Sequence, residues 1–374
     1  MFHALLLALP LGGALASSSP DSLVDRRAMR LDSVVRAYHA GNRFDGVVLV
    51  SRGDTVIYRA AFGSDDHERA VPLRPESLFP ICSFTKQFTA ALAMRLVEQG
   101  RLSLDAPVKA YLPELARDHA GELTLRRLLS HTSNLPTLED VLPARDGVEG
   151  FFAADSAAFV QPREVTRRYA RLVAAADTAR PFRYNNLDFI VVAAAIESVT
   201  GGSFAEVLHA ELLAPLGLRH TGLLGADRPA EPLVAAWDST TAGVRRVEGW
   251  RLANYGAAGA MFSTADDLQR WDAALLAHRV LGPEATRTMF SVVEGTGFVT
   301  LGSFAYRPQG FGAAAPEFID REGAIGAYQM EKVLVPEKGY SVIVLSNSAQ
   351  ADIFAPFQGK GMMLDLLAVL GRDW

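Results

Sequence analysis

The sequence predicts an α+β fold, with one antiparallel sheet built from both termini and flanked by helices, and with an all-helical subdomain inserted into it. Two strand patterns joined by a hairpin turn lie near the N-terminus, and longer strand patterns return toward the C-terminus. The middle of the chain, about 75–290, shows apolar residues at helical spacing instead. Strands at both ends with helices between them imply an α/β part at about 22–74 and 291–374.

The N-terminal α/β part is predicted to begin with an amphipathic helix at 22–40. Strands follow at 44–50 and 55–62, and Arg52-Gly53-Asp54 between them is a hairpin signal. In the C-terminal part we expect strands at 299–306, 317–320, 327–335 and 340–346, a turn at 336–339, and a closing helix at roughly 360–370.

The middle part is predicted to be mostly helical, with helices at 83–99, 163–175, 187–199, 203–213 and 264–279. The region 139–161 is loop-like and lies near candidate catalytic segments in sequence, so it could shape the mouth of a pocket.

Composition excludes some classes of function. The chain has 374 residues, 49% of them hydrophobic, which is enough material for a large core. The net charge is −5 and no cluster of lysine or arginine stands out, so nucleic-acid binding is not expected. Cys82 is the single cysteine, and an intrachain disulfide is therefore impossible.

The N-terminus is predicted to carry an export signal at 1–16. Residues 4–16 are apolar, and Ala14-Leu15-Ala16 has the form of a signal-peptidase site. A buried helix is the alternative interpretation. The apolar stretch is too short for a stable membrane anchor, and no later segment is long and apolar enough to span one. We therefore expect a periplasmic or secreted protein.

Ser83-Phe84-Thr85-Lys86 is the only S-x-x-K in the chain. Two residues three apart on a helix share one face, so Ser83 and Lys86 should lie one turn from each other. At a helix N-terminus Ser83 would have a free backbone N–H and a favourable helix dipole. The segment could supply a nucleophile, a base and half an oxyanion hole. The alternative is a serine N-cap followed by a surface lysine.

Tyr184 and Asn186 form the only Y-x-N in the chain, in a turn before an apolar helix. Both side chains can point into one cleft. A tyrosine of lowered pKa can accept the proton of a serine, and an asparagine can hold Lys86 and a substrate carbonyl. A half-buried tyrosine beside a capping asparagine is the alternative.

Several segments, in order from about Phe44 to Ser348, resemble the serine β-lactamase and penicillin-binding protein superfamily. The closest similarity is to its class C branch, with D-alanyl-D-alanine carboxypeptidases and related esterases. The matching segments are Phe79–Lys86 (FPICSFTK), Leu128–Pro136 (LLSHTSNLP, with Asn134 where the family has glycine), Ala258–Leu268 (AGAMFSTADDL) and Val342–Ser348 (VIVLSNS). The resemblance implies that residues 17–374 form one hydrolase domain of the β-lactamase/transpeptidase fold.

The resemblance also implies roles for individual residues. Ser83 would be the acylated nucleophile, Lys86 and Tyr184 would share the general-base work, and Asn186 would orient them and contact substrate. Which of the two is the base stays open.

The chain departs from the family at the third motif, where lysine or histidine, then threonine or serine, then glycine is usual. Arg321-Glu322-Gly323 occupies these positions here. Arg321 cannot release its proton, so it offers a fixed positive charge that could favour the Tyr184 phenolate or attract a substrate carboxylate. Glu322 could pair with Arg321 and repel anionic substrates. Gly323 would allow close approach of the backbone, and the N–H of Ala324 would be the second oxyanion donor.

We expect neither a metal nor another cofactor, because the histidines lack H-E-x-x-H or H-x-H spacing and no G-x-S-x-G, Walker or G-x-G-x-x-G motif occurs. A structural role in a turn is the interpretation for His131. The sequence predicts an exported serine hydrolase that acts through Ser83 on a carboxylic ester or a small peptide or amide, with β-lactams as possible substrates. A penicillin-binding sensor with little or no turnover is the alternative. The oligomeric state is left open.

Overall fold

A computed structural model describes residues 20–115, 123–137, 162, 166, 182–240, 243–248, 252–308, 311–312, 315–354 and 359–372. The predicted export signal at 1–16 and the region 139–161 lie outside these residues, as does all of the predicted helix 163–175 except Thr166.

The main sheet joins the two ends of the chain. Its six strands are β1 (Gly46–Arg52), β2 (Thr55–Phe62), β3 (Phe304–Tyr306), β4 (Phe318–Ile325), β5 (Tyr328–Val335) and β6 (Tyr340–Ser346). All neighbours are antiparallel, in the order β3-β4-β5-β6-β1-β2. The pairing of β1 with β6, in which Val48 lies opposite Val344, connects the N-terminal hairpin to the C-terminal strands. The predicted antiparallel sheet built from both termini is confirmed.

Helices cover both faces of this sheet. Val48 and Val50 pack on one face against α1 (Pro20–Ala40) and α5 (Met362–Gly371). Val47 and Leu49 point to the other face, where they join the core of the helical part. Alternation along β1 therefore serves two cores, and this is why Val47–Val50 is a continuous apolar run.

The helical part surrounds α2 (Thr85–Glu98), most of whose side chains are buried. A helix enclosed on all sides is apolar all round, and α2 has only small or apolar residues over most of its length. The other longer helices of the helical part are α3 (Asn186–Thr200) and α4 (Ala265–Leu276). Shorter helical segments and turns are Cys82–Phe84, Val108–Ala110, Pro113–Leu115, Leu125–Leu129, Phe204–Leu208, His209–Leu213, Leu252–Tyr255, Gly256–Gly259 and Pro283–Phe290.

The inserted part is not purely helical, which corrects one detail of the prediction. Between 75 and 290 the described residues also form five short strands, namely Phe79–Pro80, Gly222–Leu223, Trp237–Thr240, Gly243–Arg246 and Met261–Ser263. A further pair, Ser64–Asp66 and Val71–Pro72, precedes them. Strands of two to four residues are too short to show the alternation by which strands are identified in a sequence.

Two strands differ from the prediction by more than two residues at one end. The strand expected at 299–306 is confined to Phe304–Tyr306, whereas the strand expected at 317–320 continues to Ile325. The polar run Asp320-Arg321-Glu322 concealed this extension. It remains a strand because β4 pairs with β5 as far as Ile325 opposite Tyr328.

Among the described residues, no single helix combines the length and apolar character needed to cross a membrane; only the pair 186–200 and 204–213, bent by 80°, meets both criteria together.

A buried ion pair joins the sheet to α4. Lys332 on β5 donates to Asp272, which also accepts a 2.7 Å hydrogen bond from Ser341 Oγ on β6. Both charged side chains are almost inaccessible to solvent. Burial lowers the pKa of Lys332, and the negative charge of Asp272 opposes that shift. Each charge therefore depends on the other.

We predict that Lys332→Met or Asp272→Leu alone destabilises the protein by about 3–5 kcal/mol, because each leaves an uncompensated buried charge. The double variant should lose only about 1–3 kcal/mol, since Ser341 alone loses its partner. Urea denaturation of all four proteins measures this. If the double variant lost as much free energy of unfolding as the two single variants together, the mutual dependence of Lys332 and Asp272 would be contradicted.

Candidate active site

Ser83 lies in the turn Cys82–Phe84 that leads into α2. The α-helix thus begins at Thr85, slightly later than the sequence predicted. Thr85 Oγ1 donates to the Cys82 carbonyl at 2.7 Å and accepts the Met261 N–H at 3.1 Å, which fixes the turn against the strand Met261–Ser263. Cys82 has a φ of +45°, a strained conformation for a non-glycine residue, immediately before the candidate nucleophile.

Lys86 is fully buried beneath Ser83. Its Nζ donates to Ser83 Oγ at 3.1 Å, to Asn186 Oδ1 at 2.8 Å and to the Ala258 carbonyl at 2.7 Å. An ammonium group has three N–H donors, and here each has an acceptor. The alternative of a surface lysine is wrong.

Tyr184 brings a second functional group to Ser83. Its hydroxyl donates to Ser83 Oγ at 2.8 Å and accepts a 2.9 Å hydrogen bond from Arg321 Nη2. The Nζ of Lys86 lies 4.7 Å from the centre of the Tyr184 ring. The side chain is 37% exposed, so solvent or a substrate can reach it from the open side.

The two cations alter the acidity of the site. Burial would raise the pKa of Tyr184, but the charges of Lys86 and Arg321 outweigh it and lower this pKa to about 8. Burial, assisted by the charge of Arg321 and opposed by Tyr184, lowers the pKa of Lys86 to about 8 as well. Two groups of similar acidity in contact titrate as a pair.

Strand β4 borders the site with alternating residues. Arg321 is 1% exposed, and its guanidinium carbon lies 5.3 Å from the centre of the Phe304 ring. Within the described residues its Nε and Nη1 have no hydrogen-bond acceptor, and no ion pair joins it to Glu322, which is exposed. The positive charge of Arg321 is therefore directed at Tyr184, and its burial does not offer it to a substrate carboxylate.

Gly323 and Ala324 continue this strand. A Cβ atom on Gly323 would lie 3.1 Å from the backbone nitrogen of Ser83 and 3.2 Å from Cys82 Cβ, so the two segments are in close contact. Ala324 is exposed beside them. The close approach that Gly323 permits is thus to the turn Cys82–Phe84, which carries Ser83.

Two side chains that could have competed for reactivity are buried. Burial raises the pKa of the Cys82 thiol and keeps it protonated. His131 packs beside Tyr184 and does not contact Ser83 by a hydrogen bond. Among the described residues, no three His, Cys, Asp or Glu side chains are grouped as metal ligands.

The structure thus joins Ser83, Lys86, Tyr184, Asn186 and Arg321 in one hydrogen-bonded set, with Gly323 and Ala324 at its edge. Sequence reasoning missed two participants, the Ala258 carbonyl and the Phe304 ring. The matched segment Ala258–Leu268 marked the first, but a carbonyl has no signature of its own in a sequence. Phe304 gave no signal, because only folding brings it under Arg321.

A family model described as Beta-lactamase matches residues 31–356. The esterase EstB of Burkholderia gladioli is 32% identical over 216 residues, which are 54% of this chain and 52% of that protein. The D-aminopeptidase of Gluconobacter oxydans (strain 621H) is 26% identical over 339 residues, 87% of this chain and 60% of that protein. The chain therefore spans little more than half the length of these relatives.

Among solved structures, the octameric penicillin-binding protein homologue from Pyrococcus abyssi matches with a TM-score of 0.74 and 25% sequence identity. The match covers 91% of this chain and 77% of that one. The fold is therefore that of β-lactamases and transpeptidases, and the family resemblance inferred from the motifs is confirmed.

We predict that Gly323→Ala lowers kcat/KM for any substrate of the Ser83 site on the order of tenfold, because the added methyl group displaces the Ser83 backbone by a few tenths of an ångström. Gly202→Ala is a matched control. A Cβ atom on Gly202 would lie 3.3 Å from Val207. Gly202 follows the C-terminal end of α3, whereas Asn186 is at the N-terminal end of that helix. Equal activity in the Gly323→Ala and Gly202→Ala variants would contradict the close contact between Gly323 and the Ser83 backbone.

Proposed function

The chain belongs to the β-lactamase family, and on that premise we propose that it is a serine hydrolase that forms an acyl-enzyme on Ser83. Its substrate is a carboxylic ester or a small D-amino-acid-type amide or peptide. The observation that carries the proposal is the contact of Ser83 Oγ with both Lys86 Nζ and Tyr184 OH, at 3.1 and 2.8 Å. Neither contact would be needed by a serine that only caps a helix.

Tyr184 is the base in this proposal. The three donors of Lys86 are occupied by acceptors, as an ammonium requires, and an ammonium cannot accept the Ser83 proton. The phenolate of Tyr184 can accept it, and Arg321 Nη2 donates to the same oxygen. Lys86 then acts as a fixed charge that lowers the pKa of Tyr184.

The reaction proceeds in two steps. Tyr184 takes the hydroxyl proton while Ser83 Oγ bonds to the substrate carbonyl carbon, and the backbone N–H groups of Ser83 and Ala324 bind the resulting oxyanion. Tyr184 returns the proton to the leaving alcohol or amine as its bond to carbon breaks. Water then loses a proton to Tyr184 and attacks the acyl carbon. As the bond from that carbon to Ser83 Oγ breaks, Tyr184 returns the proton to Ser83 Oγ and the carboxylic acid is released.

The choice of substrate rests on the third motif. The hydroxyl with which the family helps to bind a β-lactam carboxylate is replaced here by Glu322, whose negative charge disfavours such a substrate. Arg321 is buried against Tyr184 and does not compensate. Relatives are named esterase EstB and D-aminopeptidase, which supports an ester or a D-amino-acid amide ahead of a β-lactam.

Export is part of the proposal. The apolar residues 4–16, which end in Ala14-Leu15-Ala16, support cleavage near residue 16 and a periplasmic or secreted enzyme.

We predict that Ser83→Ala abolishes hydrolysis of chromogenic short-chain esters or D-amino-acid amides, and that Tyr184→Phe lowers kcat about 10²- to 10⁴-fold, the usual contribution of a general base. Ser198→Ala and Tyr38→Phe are matched controls, because their hydroxyl groups bind Tyr111 and Asp365 outside this set. Mass spectrometry should find the acyl group, or a phosphonate, on Ser83.

Equal residual hydrolysis in wild type, Ser83→Ala and Tyr184→Phe would refute the proposal that the protein hydrolyses these substrates through Ser83. A fluorescent penicillin that labels Ser83 and is never released would instead support the penicillin-binding sensor.

We further predict that kcat/KM rises with pH through an apparent pKa of about 8, which belongs to the Lys86–Tyr184 pair. Arg321→Met removes a positive charge, raises the pKa of Tyr184, and so moves this rise to higher pH. At pH 7 the rate should fall roughly tenfold for each unit of that shift. Arg321→Lys should retain the wild-type profile if charge is the role of this residue.

Arg307→Met is the control, since it removes an exposed arginine that is paired with Glu337. An unchanged profile in Arg321→Met would exclude the proposed electrostatic role.

A further inference from the structure

We propose that His131 is a positioning residue for the base, and that it holds Tyr184 against Ser83 by binding the backbone on both sides of Tyr184. This inference rests on the proposed function, in which Tyr184 is the base. It assigns to the turn Ser130–Asn134 a role beyond stabilising its own conformation.

His131 makes two hydrogen bonds to the residues that flank Tyr184. Its carbonyl oxygen accepts the N–H of Arg183 at 2.9 Å, and its ring Nδ1 accepts the N–H of Asn185 at 3.1 Å. Its ring also packs on the Tyr184 ring, with 4.4 Å between centroids. One residue thus binds the backbone N–H groups of both neighbours of Tyr184 and packs on one face of its side chain.

Tyr184 needs such support because it is the most exposed member of the site. It lies in a turn just before α3, and 37% of its surface is open. The hydrogen bonds of its own hydroxyl are to Ser83 and Arg321, and the first of these must change as the proton moves. The backbone bonds to His131 do not take part in the reaction and can hold the phenol in place throughout.

The backbone of His131 adopts an unfavourable conformation. Its φ is +55°, in the left-handed region that non-glycine residues seldom occupy. Such a conformation persists only where surrounding contacts determine it. Here it directs the carbonyl and the imidazole toward the same short segment, Arg183–Asn185.

The hydrogen bond from Asn185 also fixes the protonation of His131. Because Nδ1 accepts, a neutral ring carries its proton on Nε2. Burial and the charges of Lys86 and Arg321 lower the pKa of His131 well below its usual value. The other titratable neighbour is Asp188, whose Oδ2 lies 3.5 Å from Nδ1; burial raises its pKa, and Ser133 donates to its Oδ1. The ring is therefore neutral and keeps its acceptor.

A second set of hydrogen bonds between these segments allows the positioning role of His131 to be separated from its contribution to folding. The side chain of Asn185 donates to the carbonyls of Leu135 and Pro136 at 3.2 and 3.1 Å, and it caps α3 by accepting the Leu187 N–H at 2.9 Å. These bonds join the same two segments without engaging Tyr184. Loss of the His131 ring should therefore leave the turn folded and release the phenol.

The test compares three substitutions at position 131. His131→Asn places an amide oxygen where Nδ1 was and tolerates positive φ, so it should keep kcat within about threefold of wild type. His131→Leu keeps the bulk and His131→Gly the backbone preference, but both lack the acceptor. Each of the latter should lower kcat about 10- to 100-fold with little change in KM.

A shift in acidity is the signature that a merely structural role would not produce. Without the acceptor, Tyr184 moves away from Lys86 and Arg321, so the rise of kcat/KM moves to higher pH in His131→Leu and His131→Gly but not in His131→Asn. Asn185→Ala is the control, and should lower the melting temperature without moving the pH profile.

Two results would overturn the inference. One is wild-type activity and pH profile in both His131→Leu and His131→Gly. The other is a loss of activity in all three variants that follows the melting temperature alone. If wild type shows no hydrolysis that depends on Ser83, the proposed function fails. The positioning role of His131 can still be tested by ultraviolet titration of the Tyr184 phenol, with Tyr184→Phe as the reference. An unchanged phenol pKa in His131→Leu would then refute the positioning role.

Discussion

The buried ammonium of Lys86 is the constraint on which the site depends. A charge removed from water must find a complete set of partners, and this one has three. Two come from distant parts of the chain, namely Asn186 at the start of α3 and the Ala258 carbonyl in the segment Gly256–Gly259, and the third is Ser83 in the turn Cys82–Phe84 just before α2. Satisfying one amine therefore fixes three segments relative to α2.

A second cation, Arg321, connects the sheet to this arrangement. It reaches Tyr184 from β4, whereas Lys86 reaches the same ring from α2. A phenol between two positive charges loses its proton more readily, and this opposes the effect of burial. The protein thus places a group that would ordinarily be protonated at neutral pH close to its point of ionisation.

Close packing of β4 against the turn Cys82–Phe84 makes this geometry possible. Gly323 has no side chain where one would meet the Ser83 backbone, and Arg321, two residues earlier, points to the same face of the strand. The spacing of two residues along a strand therefore determines both the approach of the sheet and the position of the charge. Glu322 between them is exposed and, within the described residues, forms no ion pair with Arg321, so it does not neutralise that charge.

The sequence by itself determined the fold class, the pairing of both termini in one sheet, and the identity of the family. These follow from local periodicity and from short ordered motifs, which are properties of neighbouring residues. It also singled out Ser83, Lys86 and Tyr184 by residue type and spacing. It did not determine that Lys86 would be saturated by acceptors, that Arg321 would be buried beneath Tyr184, or that His131 would hold the peptides on either side of that tyrosine. Apart from the hydrogen bond between Lys86 and Ser83, those arrangements depend on side-chain hydrogen bonds between residues 54 to 172 positions apart. Only the folded chain decides how such contacts share one space.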